Sequence, residues 1–355
     1  MTIKRQDAAQ TLQVPDYDEL PLMPGHAHRC AWGVFDKPGH KDTVGTLNFL
    51  TPEVVAAAAR EVVDGVPISL NLPLNADMPV PTTRGRPQRT VTQHMDLITG
   101  QPIHAFDDEI HFNTQYSSQW DSLCHFGHHP SGLTYNNSPL STDLLAAAQS
   151  TADNPLPTLD HWHARGCLAA RGVLLDYKAF AEDTGIDFDY LRLHRITVAD
   201  LEAVVAHQRT EIRPGDVLII RTGFMELAGR FPNGQDDLSA LGELFTSGGG
   251  FSGIHGGVET VRWLWNKRIA AVTGDSHAFE AFPPLKEDGS LGTVADMVLH
   301  QHLLAMLGMP IGELWDLGRL SEYCRQKGRY SFFLTSVPLN HPELIGSPSN
   351  AVAIM

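Results

Sequence analysis

Strand and helix patterns alternate along the second half of this 355-residue chain. The apolar runs typical of buried strands are 167–176, 216–222, 269–274 and 331–337, and the helix patterns between them are 197–206, 258–267 and 294–307. When strands alternate with helices, the helices cross over and pack on the faces of a largely parallel or mixed sheet. The sequence therefore predicts an α/β fold with a mixed sheet and packed helices.

The first half of the chain is less regular. Residues 1–45 are rich in Pro, Gly and His, and we interpret them as an N-terminal arm that precedes a single α/β domain over 46–355. A helix is predicted over 54–63, because Thr51 supplies a capping hydroxyl and Gly65 follows the last apolar residue. Three segments without clear periodicity are predicted as loops around the site: 76–104, 130–160 and 240–257.

Composition excludes several classes of partner. The net charge is −15 and no Lys/Arg cluster is present, so neither a nucleic acid nor an anionic membrane surface is expected to bind. The chain shows no signal peptide and no apolar run long enough to span a bilayer. Its four scattered cysteines are typical of reduced thiols. We therefore expect a cytoplasmic protein whose partner is a small molecule.

Four polar residues at odd positions define the most informative segment of the sequence. They are Gln115, Gln119, Asp121 and His125. We predict a strand over 110–125, and alternate residues of a strand share one face. Two amides, a carboxylate and an imidazole would then converge on one pocket, with Trp120 and Cys124 on the opposite, core-facing side.

Asp121 and His125 are the best candidates for catalysis. A carboxylate can hold a cation, and an imidazole beside it can transfer a proton. The alternative is structural: Asp121 caps a turn and His125 is a hydrogen-bonded core histidine. Both residues are expected to be functional because Gln115 and Gln119 share their predicted face.

The same segment resembles the His-x-Gly-Thr-His-x-Asp-x-Pro-x-His signature of the cyclase family of amidohydrolases, which includes bacterial kynurenine formamidases and isatin hydrolase. The two leading histidines fall on Gln115 and Gln119, the aspartate on Asp121 and the last histidine on His125. Later blocks of the family occur in the same order: 171–176, 212–216, 221–223, 274–277, 302–313, 337–339 and 346–348.

The resemblance implies a swivelling β/β/α-type domain that forms homodimers or higher homo-oligomers. It implies a divalent metal ion, Mn or Zn, held through Gln115, Gln119 and Asp121, with His125 as the proton-transfer residue. Family members that bind a second ion use a histidine and a glutamate near the C-terminus. The glutamate corresponds to Glu313, a further catalytic candidate whose alternative is an exposed loop charge.

The histidine of that second pair falls on Gln301, between two flanking histidines. We predict His302 as the ligand, against the alternative of a buried structural histidine. Glutamine at the two leading positions is a poorer ligand for zinc than imidazole, and an oxygen-rich set favours Mn, Mg or Ca. One divalent ion is expected, or this branch of the family functions without one.

Candidate substrate-binding residues lie on the loops. His128, Tyr135 and Asn136 follow the central segment, and His255 follows the glycine-rich stretch 248–253. That stretch fits Gly-x-Gly-x-x-Gly, but no apolar strand precedes it, so we do not expect a dinucleotide site.

The function that these residues predict is hydrolysis of an amide, lactam or ester bond in a small cyclic or aromatic molecule. An ion-activated water would attack the carbonyl, with His125 as base and then acid. Two alternatives stay open: a metal-free lyase or cyclising enzyme on the same scaffold, and a protein that binds a small molecule without turnover.

Overall fold

The computed structural model describes residues 12–78, 82–227, 238–286 and 288–355. Its strands are β1 Pro67–Ser69, β2 Gln88–Met95, β3 Pro102–His111, β4 Gln119–Asp121, β5 Leu133–Thr134, β6 Ser138–Pro139, β7 Leu168–Asp176, β8 Arg195–Ile196, β9 Val217–Arg221, β10 Gly253–Ile254, β11 Ala271–Gly274, β12 Ile311–Glu313, β13 Ser331–Ser336, β14 Gly346–Pro348 and β15 Ala351–Ile354.

The helices are short and lie mostly between these strands. They are α1 Pro52–Ala58, α2 Asp160–Arg165, α3 Tyr177–Thr184, α4 Val198–Gln208, α5 Leu238–Thr246, α6 Val258–Asn266, α7 Val298–His300 and α8 Gly318–Lys327, with a π-helix over Gln301–Leu307. Single 3₁₀ turns are Tyr17–Glu19, Gly45–Phe49, Ala59–Glu61, Tyr135–Asn137, Leu144–Ala146, Phe224–Leu227 and Val294–Asp296.

A mixed sheet organises the fold. In the described part of the chain it has nine strands, in the order β1-β15-β13-β7-β9-β11-β12-β4-β14. The four central strands, β7, β9, β11 and β12, are parallel, and the outer pairs on both sides are antiparallel. The predicted α/β fold with a mixed sheet is confirmed.

Both faces of the sheet are buried, which is why its central strands are apolar throughout. On β7, Val173 and Leu175 pack into one hydrophobic cluster, and Leu174 packs into the cluster on the opposite face. A strand that is covered on both faces needs apolar residues at every position rather than at alternate ones. This requirement makes β7, β9 and β11 recognisable in the sequence.

Capping residues set where several helices begin. Thr197 Oγ1 accepts a 3.2 Å hydrogen bond from the Asp200 amide, and the Asp200 carboxylate accepts one from the Thr197 amide. This reciprocal pair satisfies amide groups that the first turn of α4 leaves unpaired. At α1, Thr51 has the same role and Pro52 occupies the first turn.

The described part of the N-terminal arm packs on its own chain. The Tyr17 amide donates a 2.8 Å hydrogen bond to Asn266 Oδ1 at the end of α6. Further along, the Ala31 amide donates to the carbonyl of Met306 in the π-helix. Residues 12–45 therefore cover the helices on one side of the sheet, and 1–11 lie outside the described residues.

The structure corrects four predicted elements. The strand predicted over 110–125 is wrong: β3 ends at His111, turns follow, and only Gln119–Asp121 is extended in the large sheet. The loop predicted over 76–104 contains β2 and the start of β3, and the loop over 240–257 contains most of α5. The helix predicted over 294–307 is a 3₁₀ turn, α7 and the π-helix in succession, ended by Gly308.

Two general features complete the fold. Within the described residues, no helix has the length and apolar character needed to cross a membrane. All four cysteines lie in the described part of the chain, where each is a buried free thiol.

Candidate active site

The site begins at the pairing of β4 with β12. Antiparallel register places Gln119 opposite Glu313 and Asp121 opposite Ile311. Directly opposed side chains share one face of the sheet, so the amide and the carboxylate meet. Gln119 Nε2 donates a 2.9 Å hydrogen bond to Glu313 Oε2, and both side chains are buried.

Several buried acceptor atoms of this cluster lack a hydrogen-bond donor. Both carboxylate oxygens of Asp121 are buried without a partner, as are Oε1 of Gln115 and Oε1 of Gln119. A buried polar atom without a partner is costly, because it has lost its hydrogen bonds to water. Four such oxygens within one cluster indicate a place for a cation or a proton donor.

His300 brings a nitrogen to the same oxygens. One ligand atom from each of Asp121, His300 and Glu313 can be chosen so that all three lie within 4.8 Å of one another. His300 Nε2 is 3.2 Å from Glu313 Oε1, and its Nδ1 is 3.0 Å from Glu280 Oε1. A carboxylate behind an imidazole is the usual arrangement for orienting a histidine ligand of a metal.

Glu280 is held rigidly in that position. Its Oε1 accepts the 2.9 Å hydrogen bond from the His300 amide as well as the contact from the ring, and its Oε2 accepts one from the Val298 amide. The carboxylate thus satisfies amide groups at the start of α7, where helices leave them unpaired. This anchoring fixes both the carboxylate and the imidazole that it orients.

Burial shapes the protonation of the cluster. It raises the pKa of Asp121, an effect that the nearby His125 opposes and the carboxylate of Glu313 reinforces. Burial also disfavours charge on His300, yet its hydrogen bonds to Glu280 and Glu313 prevail and raise its pKa to about 10. The carboxylates therefore favour a positive charge beside them, which either protonated His300 or a metal ion can supply.

His125 lies where the cluster meets solvent, with 22% of its side chain exposed. Its Nε2 is 4.0 Å from Asp121 Oδ1, and its Nδ1 is 3.3 Å from Gln115 Nε2. The orientation of the Gln115 side-chain amide decides which ring nitrogen of His125 carries the proton. With Gln115 Nε2 donating, the ring proton lies on Nε2 of His125; with Oε1 turned to the ring, Nδ1 carries the proton and Nε2 can accept one.

The orientation of the Gln115 amide also decides whether its oxygen can bind a cation or instead accepts a hydrogen bond from His125. If its oxygen accepts from His125, the imidazole can act as a base at Nε2, but the same oxygen cannot also bind a cation. Gln119 has no such conflict, because its Nε2 is engaged by Glu313 while its Oε1 has no partner. We therefore interpret Gln115 as the residue that positions His125 and Gln119 as the one that offers an oxygen.

A cavity of about 400 Å³ opens onto His125, His300 and Glu313. Its volume is in the range of small-molecule sites. Its other lining residues are mainly aromatic and aliphatic, with Thr83, Arg84 and His277 as polar groups. The apolar ones include Phe126, Leu241, Phe245, Phe251, Phe282, Val294 and Met297. The cavity thus has an apolar body and one polar end.

The donor set at that polar end fits a divalent cation. Asp121, Glu313 and the Gln119 oxygen are hard oxygen ligands, and His300 adds one borderline nitrogen. Two or three oxygens with one nitrogen form a donor set that suits manganese. Structural zinc sites are instead rich in Cys and His. The unpartnered oxygens are the observation on which this fit depends.

The structure does not bring His302 to this cluster. The expectation that His302 and Asp121 are ligands of the same ion is therefore corrected. His300 and His302 are two residues apart on a helix and project from nearly opposite sides. His300 faces Glu313, whereas the ring of His302 lies 5.0 Å from that of His28. The histidine that the fold places beside Asp121 and Glu313 is two residues before the predicted one.

The four predicted substrate-binding residues are absent from the lining of the 400 Å³ cavity. Tyr135 is buried and donates a 3.0 Å hydrogen bond to Asp42. The Asn136 amide group bonds to Asp36 and to the Asp42 carbonyl, tying the N-terminal arm to its neighbours. These two side chains are structural, because their polar groups are used within the fold.

His128 and His255 also lie elsewhere. The His128 ring stacks edge-on against His26, with Nδ1 2.8 Å from Ser131 Oγ. The His255 amide donates to the Ile196 carbonyl, and its Nδ1 is buried without a partner. Neither reaches the cavity beside Asp121 in the described structure.

Three residues of the site were not predicted: His300, Glu280 and Arg84. His300 flanks the position of the family histidine, but choosing it over His302 requires the phase of a helix that changes from α to π at Gln301. Glu280 had no sequence signal, because its role depends on a contact with α7. Arg84 lay within a segment predicted as loop, and its Nη1 donates to the Gln115 carbonyl.

Comparison with known proteins identifies the fold and the family. The family described as Putative cyclase matches residues 68–281, which are 214 of the 355 residues. A solved structure described as a novel cyclase is 31% identical, with a TM-score of 0.71 over 92% of this chain and 99% of the other. A comparison with curated protein sequences found no match.

A second solved structure shares the fold at lower identity. Isatin hydrolase A from Labrenzia aggregata, bound to benzyl benzoate, is 15% identical, with a TM-score of 0.54 over 81% of this chain and 93% of its own. The predicted resemblance is therefore confirmed by a match over more than half of the sequence and by a solved relative of nearly full coverage. The chain belongs to the cyclase family.

Proposed function

We propose that this protein is a hydrolase that cleaves an amide, lactam or ester bond in a small aromatic or cyclic molecule. The observation that supports this proposal most strongly is the set of unpartnered buried oxygens on Gln115, Gln119 and Asp121. They belong to the same cluster as His125, His300 and Glu313, which line a largely apolar cavity. Such a site combines a body that accommodates a ring with a polar end for a carbonyl.

His125 is the residue to which we assign proton transfer. It is the partly exposed imidazole of the cluster and lies between the cavity and Asp121. With the Gln115 oxygen accepting from Nδ1–H, its Nε2 takes a proton from water as the water attacks the carbonyl carbon. The same proton then goes to the leaving nitrogen or oxygen as the bond to that atom breaks.

Asp121, Gln119, Glu313 and His300 would hold a divalent ion, with manganese as our first choice and zinc, magnesium or calcium as alternatives. When bound, such an ion polarises a carbonyl and lowers the pKa of a water molecule. Glu280 would fix the Nδ1–H tautomer of His300, leaving Nε2 as the ligand atom. Here Glu280 is a positioning residue.

The cavity wall supports an aromatic substrate. Phe126, Phe245, Phe251 and Phe282 offer faces and edges for a planar ring. The related solved protein is named as an isatin hydrolase, and isatin is a lactam fused to an aromatic ring. We therefore place fused lactams and N-formyl aromatic amines first among candidate substrates, with aryl esters next.

The proposal is tested by assaying purified protein against those three substrate classes. Wild type is measured after chelation and again after Mn²⁺ is restored, beside His125→Ala and a control, His129→Ala, at an exposed histidine of the same loop. We expect turnover that requires the ion and falls by about 10²–10⁴-fold in His125→Ala alone. Tight binding without turnover of any substrate would instead show a binding protein.

A metal-free enzyme is the second candidate, because His300 itself can supply positive charge. It contacts two buried carboxylates, at 3.0 Å and 3.2 Å, and these raise its pKa to about 10. An imidazolium at that position could stabilise developing negative charge in a lyase or cyclising reaction. Activity that survives chelation but not His125→Ala would select this candidate.

We further propose that the chain forms a homodimer through the β2–β3 hairpin. Its register places three exposed apolar side chains, Val91, Phe106 and Ile110, on one face, at 52%, 60% and 48% exposure. The same face carries Gln93 and the Arg89–Asp108 ion pair. A two-stranded ribbon is marginal in isolation, and exposed apolar side chains can cover their own copy about a two-fold axis. Members of this family commonly pair, so a second copy is the occupant we infer.

Light scattering after gel filtration tests the dimer. Phe106→Lys introduces a charge beside the exposed apolar side chains, and Thr92→Lys introduces the same charge on the opposite face of the hairpin. We expect a dimeric wild type and control with a monomeric Phe106→Lys. Equal masses for all three proteins would contradict this interface.

A further inference from the structure

Four histidines from three separate segments of the chain meet in a second place, away from Asp121. His26 and His28 come from the N-terminal arm, His128 from the loop after β4 and His302 from the π-helix. The ring centroids are 4.7 Å apart for His26 and His128, 5.9 Å for His28 and His128, and 5.0 Å for His28 and His302. We call His28, His128 and His302 the histidine triad.

The triad contains a buried nitrogen without a partner. His302 is 5% exposed, and its Nδ1 has no hydrogen-bond partner. An orphaned imidazole nitrogen in a core is unfavourable unless something binds it. His128 is equally buried, and its Nδ1 is held by Ser131 Oγ, which fixes the orientation of that ring.

All three residues of the triad line one cavity of about 540 Å³. Met306 contributes a thioether to its lining, and Gln301 a carboxamide. The lining also carries both signs of charge, with Asp288, Asp296 and Lys286. Imidazole and thioether are borderline-to-soft ligands, which favour zinc, copper or nickel over calcium or magnesium.

The separation of the His28 and His302 rings, 5.0 Å, suits a shared ion, and that of His28 and His128 is longer, at 5.9 Å. Two imidazoles on a tetrahedral zinc, with Zn–N bonds of about 2.0–2.1 Å, place their ring centres about 5 Å apart. The nitrogens of the triad do not converge as closely as the ligand atoms of Asp121, His300 and Glu313 do. Rotation of the half-exposed His28 ring is therefore required to complete the site.

We propose that His28, His128 and His302 form a second metal site, which takes a borderline transition-metal ion such as Zn²⁺. The ion joins the N-terminal arm to the π-helix, since His28 belongs to the first and His302 to the second. Its role is to fasten the arm, and it is independent of the ion proposed beside Asp121.

The test measures zinc bound per chain, by equilibrium dialysis, and the zinc-induced rise in Tm. His28→Ala removes a half-exposed ligand without opening the core, and His40→Ala is the control at an exposed histidine of the same arm. Asp121→Asn is included because it removes a ligand of the other site. Wild type, His40→Ala and Asp121→Asn are expected to retain the zinc that His28→Ala loses.

We expect His28→Ala to weaken this binding by at least about tenfold and to abolish the part of the Tm shift that Asp121→Asn retains. The proposal is overturned if His28→Ala binds as much zinc as wild type with equal affinity. It is also overturned if Asp121→Asn abolishes all zinc binding, because a single site beside Asp121 would then account for the ion.

Discussion

Gln119 and Glu313 face each other across the β4–β12 pair, joined by a 2.9 Å hydrogen bond from the amide nitrogen to the carboxylate. This contact turns the amide oxygen of Gln119 away from the carboxylate, where it is buried without a partner. Gln119 is an unusual residue for a zinc site, but this contact leaves its oxygen free to bind a cation. The cross-strand pair supports our proposal that this chain binds an ion without the two histidines that begin the family signature.

Asp121→Asn is expected to remove activity without harming the fold. Both oxygens of this buried carboxylate lack partners, whereas an Asn amide can donate to the oxygens of Gln115 or Gln119. We predict a fall in kcat/KM of at least about 10³-fold, lost binding of Mn²⁺, and a free energy of unfolding without added metal that is unchanged or higher by about 1 kcal/mol. Enzyme assays and urea unfolding of the chelated protein measure these changes. A variant that unfolds more easily would indicate a structural aspartate.

Glu280→Gln tests the residue behind His300. Because the Gln side chain is neutral, it weakens the orientation of the imidazole, and we expect the affinity for Mn²⁺ to fall by about 10–100-fold. Glu343→Gln is the matched control, since that buried carboxylate also accepts backbone amides, from residues 147 and 148. Equal Mn²⁺ affinity in the two variants would remove Glu280 from the site.

Gln119→His restores one imidazole of the family signature. A nitrogen ligand at this position favours zinc over manganese, so we expect the ratio of zinc to manganese affinity to rise by about tenfold or more. Gln326→His, at an exposed position of α8, controls for a histidine added elsewhere. Competition between the two ions, measured by metal analysis after dialysis, gives the ratio. An unchanged ratio would show that position 119 does not contact the ion.

Acid should destabilise the protein partly through His277. Burial, with a smaller contribution from Arg84, lowers the pKa of His277 to about 4, below the value near 6.5 of the unfolded chain. As the pH falls, the unfolded state therefore binds a proton at His277 before the folded state does. The stability that neutral His277 contributes is complete above pH 6.5 and is lost as the pH falls towards 4. The slope from one such group is at most about 1.4 kcal/mol per pH unit.

Urea unfolding between pH 4.5 and 7.5 measures that slope. His277→Asn should flatten it, because the titrating group is gone while a polar side chain remains. Buried His128 and His302 titrate in the same direction and preserve part of the dependence. An identical slope in wild type and variant would show that His277 has the same pKa in the folded and the unfolded protein.

The sequence predicted the central sheet well because strands buried on both faces leave a clear signal. β7, β9 and β11 lie within the predicted apolar runs, since every residue of such a strand is in a core. The β2–β3 hairpin gave no such signal. Most of its side chains are exposed, and its polar residues read as a loop.

Only part of the membership of the candidate site could be predicted from the sequence, and its geometry could not. Gln115, Gln119, Asp121 and His125 do lie together, although the strand expected to align them spans only Gln119–Asp121. Turns on either side bring 115 and 125 back to the cluster, and such turns depend on tertiary contacts. The choice between His300 and His302 required the phase of a helix that changes from α to π at Gln301, and the sequence does not specify that change.

The central claim is that Asp121, His300, Glu313 and Gln119 together bind a divalent ion. An anomalous difference map from crystals grown with Mn²⁺ tests it most directly. We predict a peak about 2.0–2.4 Å from oxygens of Asp121 and Glu313 and from Nε2 of His300. Full hydrolytic activity after chelation, together with no anomalous peak beside Asp121, would contradict the account.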